Sequence, residues 1–272
     1  MVSVDIWTQG NFTEPGEAVL YEKKGHTVVI TLNRPDSLNA INRQLRGELG
    51  GAILRYDEDD DARVAIITGA GRAFCAGRDL KERAADNAAG VQARASASMG
   101  TQSPYMWPQT WKPLIAAVNG YALAGGWMIA QICDIRLAAE EAMLGITEPR
   151  VGLLPPFAVT LPKLMPMAAV MELVMTADPV TAQRACEMGF INKVVPGDRL
   201  MDEAMSLSER IVANAPLSLK YFKEATYRGL DMGAQEVMPL TYQMYERLLL
   251  TEDAIEGPKA FAEKRKPRWI GR

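Results

Sequence analysis

The sequence predicts an α/β fold whose C-terminal part is helical. Short apolar runs that end at glycine, such as residues 64–68 before Gly69, are typical of buried strands. Residues 40–56 lie between two strand-like runs and carry apolar side chains at the spacing of an amphipathic helix. From Ala168 onward the pattern is almost purely helical, with breaks at proline and glycine. Strands with intervening helices therefore come first, and helices follow.

The N-terminal region predicts a lead-in, a hairpin and a turn before that first helix. Residues 1–17 are polar and turn-rich. Residues 19–33 alternate around a Lys-Lys-Gly turn, which predicts a β-hairpin. Residues 34–37, Arg-Pro-Asp-Ser, are a turn signal. The acidic run 57–61 is predicted to be a solvated loop at the end of the helix.

The middle of the chain continues the α/β pattern with less regularity. Residues 81–112 lose clear periodicity, whereas residues 114–119 predict another buried strand that enters Gly120. Residues 129–139 continue the alternating apolar pattern of a strand. Residues 149–166 are rich in proline, so we expect them to be largely irregular.

Composition and charge exclude several classes of protein. The 272 residues are 48% hydrophobic and 23% charged, which is ordinary for a soluble globular protein. The net charge of −3 gives no electrostatic footprint for nucleic acid. No stretch reaches the roughly 18 apolar residues that a membrane span needs, and the N-terminus lacks the features of a secretory signal. We expect a cytoplasmic protein with neither nucleic acid nor membrane as a partner.

The cysteines and the single histidine limit the chemistry further. Cys75, Cys133 and Cys186 are odd in number and form no C-x-x-C pair, which argues against a disulfide framework and a zinc site. His26 opens a strand-like run and is the only histidine. Mechanisms that pair serine or cysteine with histidine, and most zinc catalysis, then lose their usual partner. We expect no metal.

Two glycine-punctuated stretches carry the strongest functional signal. Residues 67–80 read ITGAGRAFCAGRDL, and residues 119–134 read NGYALAGGWMIAQICD. Each places small residues where a buried strand gives way to a turn and a helix, which offers backbone N–H groups to a ligand oxygen. Two such turns facing one point would form an oxyanion hole. Either turn alone also fits an ordinary tight turn.

Together these stretches resemble the crotonase, or enoyl-CoA hydratase/isomerase, superfamily, and the resemblance runs from about His26 to the C-terminus. It implies a spiral of β-β-α turns and a C-terminal helical region that mediates trimerisation, with trimers that often pair into hexamers. We accordingly divide the chain into residues 1–196, the spiral core with an acyl-CoA site, and residues 197–272, the helical region. The implied substrate is an acyl-CoA, so coenzyme A arrives with the substrate and no permanently bound cofactor is expected.

The resemblance also implies which residues bind this substrate. Arg78 in CAGRDL and Gly125, the first glycine of the pair, match the two family positions that donate backbone N–H groups to the thioester oxygen. Residues 32–40, LNRPDSLNA, resemble the segment that lines the nucleotide end of CoA. Phe261 and Lys264 match positions that reach CoA bound in a neighbouring subunit. The remaining implied substrate contacts are Ser37, Leu38, Ala76 and Leu80, while Asp36 stands where many members carry a basic residue.

Family hydratases hold one water between two glutamates, and this chain has only one of the two. Glu148 in LGITEPRVG matches the second glutamate. The first position is Met128, whose thioether can neither accept nor deliver a proton. Trp127 and Ile146 make the surroundings apolar, so we expect burial to raise the pKa of Glu148.

The acyl pocket is assigned to the variable segment of the family together with the helix after the glycine pair. Tyr105 and Trp107 come from that segment, and Trp127 and Met128 from the helix. For the aromatic residues of the segment, a core cluster is an equally good interpretation.

Four functions remain open at this point. One glutamate and an oxyanion hole suffice to shift a 3-enoyl double bond to the 2-position, since the same group takes and returns the proton. Hydration or dehydration of an enoyl-CoA would need another carboxylate in place of the missing one. A CoA-binding relative without turnover, or an RNA-binding one, is the third, although the acidic net charge disfavours RNA. The fourth, hydrolysis of a 1,3-diketone, is disfavoured in versions that need a second histidine.

Overall fold

The computed structural model describes residues 12–89, 107 and 109–272, and the following elements lie within these ranges. The strands are β1 (Val19–Lys24), β2 (Thr27–Leu32), β3 (Val64–Gly69), β4 (Ala73–Cys75), β5 (Leu114–Val118), β6 (Tyr121–Leu123), β7 (Ile135–Ala139), β8 (Met143–Gly145), β9 (Val180–Thr181) and β10 (Lys193–Val195). The helices are α1 (Arg43–Glu58), α2 (Leu80–Ala88), α3 (Gly125–Gln131), α4 (Met167–Thr176), α5 (Ala182–Glu187), α6 (Leu200–Val212), α7 (Pro216–Gly229), α8 (Ala234–Leu249) and α9 (Glu252–Ala262).

The larger sheet has six strands in the order β1-β2-β3-β5-β7-β10. β1 and β2 form the predicted antiparallel hairpin, and every later neighbour pair is parallel. The central strands are buried on both faces, because α1 packs against β1 and β2, and α6 packs against β2, β3, β5 and β7. A buried hydrogen bond of 2.7 Å between the hydroxyls of Thr27 and Ser208 joins α6 to the first residue of β2.

The smaller sheet has the order β4-β6-β8-β9. β4, β6 and β8 are parallel neighbours, so their carboxyl ends meet at one edge of this sheet. The chain that leaves each of these three ends carries one of the predicted catalytic positions. This sheet therefore places residues that are up to 70 positions apart in the sequence at one edge.

Helix α1 begins at Arg43, not at Ala40 as the apolar spacing predicts. The Asn42 side chain accepts a hydrogen bond of 2.9 Å from the Leu45 N–H and caps the helix there. Ile41, which fits the helical spacing, instead forms a parallel bridge with Arg78. Its apolar side chain is buried in either arrangement, so the spacing alone does not distinguish them.

Two further element predictions need correction. The alternating pattern of residues 129–139 covers the end of α3 and the whole of β7, because a buried helix and a buried strand both consist of apolar residues. The region after Ala168 is not purely helical, since it supplies β9 and β10. A strand of two or three residues is too short to show a period.

The proline-rich stretch forms two 3-10 segments, Glu148–Val151 and Pro156–Lys163.

The division at residues 196 and 197 stays a prediction. Helix α6 lies after that boundary and still covers the larger sheet, with Leu200, Ala204 and Ser208 buried in the core. Within the described ranges, no helix combines the length and the apolar character needed to cross a membrane.

Candidate active site

The three predicted catalytic residues follow the carboxyl ends of the three adjacent strands β4, β6 and β8. Arg78 comes three residues after β4, Gly125 two residues after β6, and Glu148 three residues after β8. The paired strands hold these segments side by side. The three residues are far apart in the sequence, and the pairing of three adjacent strands in the smaller sheet brings their segments together.

The bridge between Ile41 and Arg78 orients the backbone of the first predicted oxyanion donor. Ile41 donates its N–H to the Gly77 carbonyl at 2.8 Å and accepts the Asp79 N–H at 3.0 Å. In a parallel bridge, one of the two paired residues makes both hydrogen bonds. The N–H and C=O of the other residue then point away from that partner. The N–H of Arg78 therefore points away from Ile41, and among the described residues no acceptor is bonded to it.

The second predicted donor, Gly125, lies beside the first. Gly125 is the first residue of α3, so its N–H has no acceptor within the helix. A β-carbon placed on Gly125 would lie 3.8 Å from the Arg78 nitrogen, and one on Gly77 would lie 3.3 Å from the Gly125 nitrogen. Gly77 has φ of +90°, a conformation that glycine adopts without strain. Each of the two nitrogens thus lies beside the other glycine turn, as the predicted oxyanion hole requires.

Gly126 lets α3 approach β4 at this point. A β-carbon on Gly126 would lie 2.0 Å from the Cys75 carbonyl oxygen, which leaves room only for hydrogen. Cys75 is fully buried, and burial raises the pKa of its thiol to about 12, so the thiol stays protonated. The second glycine of the pair thus has a packing role, whereas the first carries the predicted N–H donor.

Glu148 carries the titratable group of the site. Its side-chain Oε2 is buried and has no hydrogen-bond partner among the described residues. Burial raises the pKa of its carboxyl above the ordinary value of 4.5, against a smaller opposing contribution from its own backbone N–H. The direction of this shift confirms the prediction from the sequence.

The surroundings that the sequence predicts to be apolar are buried. Met128 is 6% exposed and Ile146 is fully buried. Trp127 is fully buried as well, and its ring stacks on Phe190 with centroids 4.0 Å apart. Trp127 therefore packs into the core on the face of α3 that meets Phe190.

Of the two aromatic residues assigned to the variable segment, the structure describes only Trp107. Trp107 is 2% exposed, belongs to the hydrophobic core, and donates its indole N–H to the Arg46 carbonyl at 3.2 Å. This placement agrees with the core-cluster interpretation. Tyr105 lies outside the described residues.

The segment predicted to bind CoA, residues 32–40, is hydrogen-bonded to the turn that precedes Arg78. Ser37 is exposed at the end of a 3-10 turn, and Leu38 follows it with φ of +51°. The Leu38 carbonyl accepts the Ala76 N–H at 2.9 Å. Leu80, the first residue of α2, is 53% exposed. The hydrogen bond thus joins residues 37–38 to the turn that contains Arg78.

Phe261 and Lys264 lie at the end of α9. The Phe261 ring is 87% exposed, and Lys264 is exposed with φ of +54°. Within one chain both side chains are therefore open to contact with another molecule.

An ion pair between Arg34 and Asp79 is a feature that sequence reasoning missed. Both guanidinium Nη atoms lie 3.1 Å from Asp79 Oδ2, and Nη1 also donates to the Ala40 carbonyl at 2.5 Å. Asp79 Oδ1 accepts the N–H groups of Lys81 and Glu82 and caps α2. Burial opposes ionisation of Asp79, but the hydrogen bonds from Glu82 and Arg34 outweigh it and lower its pKa. The partners are 45 residues apart, so no local pattern could have joined them.

No group of three or more His, Cys, Asp or Glu side chains in the described part of the chain has the arrangement of a metal site.

Comparison with known proteins places this geometry in a family. A family profile described as enoyl-CoA hydratase/isomerase matches residues 22–272. The chain is 38% identical to a carnitinyl-CoA dehydratase of Proteus mirabilis, over 92% of this chain and 97% of that protein. It is 35% identical to an (E)-benzylidenesuccinyl-CoA hydratase of Thauera aromatica, over 93% and 99%. An enoyl-CoA hydratase of Mycobacterium tuberculosis is 38% identical over 95% and 98%.

Solved structures agree with the sequence relatives. An enoyl-CoA hydratase from Bacillus anthracis superposes with a TM-score of 0.87 at 37% identity, over 94% of this chain and all of that one. An enoyl-CoA hydratase from Mycobacterium tuberculosis H37Rv gives a TM-score of 0.85 at 36% identity with the same coverage. With a profile match over nearly the whole chain, full-length relatives and crotonase-fold neighbours, this protein belongs to the enoyl-CoA hydratase/isomerase family.

Proposed function

We propose that this protein moves a proton on an acyl-CoA thioester through an enolate, with Glu148 as the single acid/base group, and that its reaction is a double-bond shift between the 3- and 2-positions. The observation that supports this most directly is the state of Glu148. Its Oε2 is buried without a partner and its pKa is raised by burial. A carboxyl in this state exchanges a proton at a pH nearer neutrality than an exposed one.

The backbone N–H groups of Arg78 and Gly125 supply the second half of the mechanism. As Glu148 removes a proton next to the thioester, negative charge develops on the thioester oxygen. Two oriented N–H donors stabilise that charge, and the loss of one such donor typically costs roughly a hundred- to a thousandfold in rate. The same carboxyl then returns the proton at the other end of the three-carbon unit, so proton and charge balance without another group.

A second carboxylate is the missing element for two-glutamate hydration. Met128 stands at the position in question, 6% exposed. No charged side chain among the described residues contributes to the pKa of Glu148, which burial and its own N–H set. Residues 90–106 contain neither aspartate nor glutamate, and residues 1–11 contain only Asp5. Among the residues outside the described ranges, Asp5 is therefore the one side chain that could replace the missing carboxylate.

Hydration or dehydration of an enoyl-CoA is the second candidate. It is favoured by the names of the relatives, which are hydratases and dehydratases at 35–38% identity. A third candidate is a homologue that binds acyl-CoA without turning it over. In both cases the oxyanion hole and the CoA-binding segment keep the roles proposed above.

Our proposal extends to the assembly and to substrate binding. Ser37, Leu38, Ala76 and Leu80 contact the CoA part of the substrate, which brings its own coenzyme. The exposed Phe261 and Lys264 reach CoA in a neighbouring subunit of a homotrimer or hexamer. Met128, Tyr105, Trp107 and Trp127 remain our prediction for the acyl pocket. The expected cytoplasmic location stays a prediction.

Two absorbance assays test the reaction. A 3-enoyl-CoA gains the absorbance of a conjugated thioester when its double bond moves to the 2-position, whereas a 2-enoyl-CoA loses it on hydration. We expect the gain with the first substrate and no loss with the second. Rapid loss of absorbance with the 2-enoyl-CoA would instead identify the protein as a hydratase, which requires a second carboxylate at the site. Binding of both substrates without any change in absorbance would identify a non-catalytic acyl-CoA-binding protein.

A further inference from the structure

The N–H of Arg78 owes its direction to the bridge with Ile41, and one side chain spans both strands of that bridge. The Arg34 guanidinium bonds the carbonyl of Ala40, the residue before Ile41. It also bonds the carboxylate of Asp79, the residue after Arg78. These contacts, which we call the Arg34 clamp, lie beside the bridge and join its two segments.

The partners of the clamp are themselves held in place. The Arg34 backbone N–H donates to the Asn39 side-chain oxygen at 2.8 Å. The fully buried Asn39 amide donates to the carbonyls of Ala70 and Ala73 at 2.9 and 2.7 Å, which anchors the loop to β4 and the turn before it. On the other side, Asp79 caps α2. The clamp thus connects a rigid loop with the start of α2, and Arg78 lies between them.

Burial makes this contact stronger than a surface ion pair. The side chains of Arg34 and Asp79 are 22% and 14% exposed. By contrast, Arg43 joins α1 to α2 through Asp86 and is 59% exposed. Charge-assisted hydrogen bonds that are shielded from water hold geometry better than exposed ones. Arg43 is therefore a matched control, because it contacts the same helix away from the oxyanion donor.

We propose that Arg34 is a positioning residue, which keeps the Arg78 N–H directed at the thioester oxygen through its bonds to Ala40 and Asp79. This inference rests on the proposed oxyanion hole and adds a residue outside it that sets its geometry. Without the clamp, the turn of Arg78 gains freedom, and the enolate loses stabilisation while CoA binding elsewhere persists. The effect should thus appear in kcat more than in KM.

The test uses butyryl-CoA labelled with ¹³C at the thioester carbonyl, a saturated probe that undergoes neither isomerisation nor hydration. Polarisation by two N–H donors shifts the ¹³C resonance downfield and lowers the carbonyl stretching frequency on binding. We expect this shift in the wild type and in Arg43→Gln, and most of it to be lost in Arg34→Gln. Arg34→Lys, which keeps the charge but not the forked geometry, should give an intermediate shift. Asp79→Asn provides a second route to the same loss if Arg34→Gln does not fold.

Turnover of the best substrate is measured with the same variants. The expected result is a fall in kcat of roughly ten- to a hundredfold in Arg34→Gln with KM changed less than about threefold, as for partial loss of one donor. A wild-type carbonyl shift that Arg34→Gln retains would overturn the positioning role and leave the proposed function standing. A wild type that binds the probe without any shift, or does not bind it, would overturn the oxyanion hole and the clamp together.

Discussion

Ile41 and Arg78 are paired in an isolated parallel bridge, in which Ile41 makes both hydrogen bonds and Arg78 makes neither. The bridge joins the segment before α1 to the turn after β4. Its consequence is that the backbone N–H of Arg78, near Gly125, has no acceptor among the described residues. A residue with a large charged side chain can occupy this position because only its backbone is used.

Substitution Glu148→Gln should abolish most turnover while leaving the fold intact. Glutamine has the same shape but cannot take a proton, so we expect kcat to fall roughly a hundred- to ten-thousandfold. Oε2 has no partner among the described residues, so no hydrogen bond is lost there. Steady-state kinetics with a 3-enoyl-CoA measures the effect, and the exposed Glu187→Gln is the control. Unchanged turnover in Glu148→Gln would exclude Glu148 as the acid/base group.

The raised pKa of Glu148 should appear in the pH profile. The carboxyl must be ionised to take a proton, so kcat/KM should fall as the pH is lowered through a pKa above 4.5. A raised folded-state pKa also means that the folded protein holds this proton more tightly than the unfolded chain. Its contribution to stability is full below 4.5 and is lost as the pH rises through the folded-state pKa.

Thermal unfolding across that pH range separates this effect from other groups. We expect the wild type to lose stability relative to Glu148→Gln as the pH rises through the pKa seen in the rate profile. Parallel stability curves for the two proteins would contradict the burial of an ionisable carboxyl at this position.

A Met128→Glu variant should create hydratase activity. It places a carboxylate at the position that the resemblance assigns to the first glutamate of family hydratases, together with the proposed oxyanion hole. We expect measurable loss of 2-enoyl-CoA absorbance, together with lower stability because the site is 6% exposed. Met128→Gln controls for polarity without a proton-transfer group. If both variants hydrate equally, or neither does, the absence of a second carboxylate is not what limits hydration.

Gly126→Ala should disrupt the contact between α3 and β4. Its β-carbon would lie 2.0 Å from the Cys75 carbonyl oxygen, a backbone atom that cannot rotate away. We expect a loss of about 3 kcal/mol or more in the free energy of unfolding. Gly233→Ala, where the nearest contact is 3.9 Å at an exposed helix cap, should cost less than about 1 kcal/mol. Chemical denaturation of the two variants gives the comparison, and similar losses would refute the close approach.

Phe261→Ala and Lys264→Ala should weaken substrate binding without affecting the fold. The Phe261 ring is 87% exposed in a single chain, so its removal costs no packing there. We expect KM for acyl-CoA to rise about three- to tenfold with kcat nearly unchanged. Ile255→Ala, 69% exposed on the same helix, is the control. A KM that stays constant in both variants would remove these residues from the CoA site.

The sequence by itself determined the features that depend on neighbouring residues. Alternation and a Lys-Lys-Gly turn predicted the β1–β2 hairpin, and apolar runs ending in glycine predicted β3 and β5. The resemblance pointed to Glu148, and the apolar residues near it in sequence predicted the direction of its pKa shift. The hairpin, the two strands and the direction of the pKa shift are confirmed because local pattern and burial coincide there, while the role of Glu148 stays a prediction.

Only the tertiary structure decided the relationships between distant segments. Ile41 fits the apolar spacing of α1, yet it leaves the helix because Asn42 caps it and Arg78 offers a bridge. Trp127 adjoins the site in sequence, but its ring stacks on Phe190 because the helix turns that face to the core. Arg34 and Asp79 are 45 residues apart in the sequence, and they meet because the bridge between Ile41 and Arg78 holds their two segments side by side. Such contacts depend on strand register and helix orientation, which no local pattern in the chain encodes.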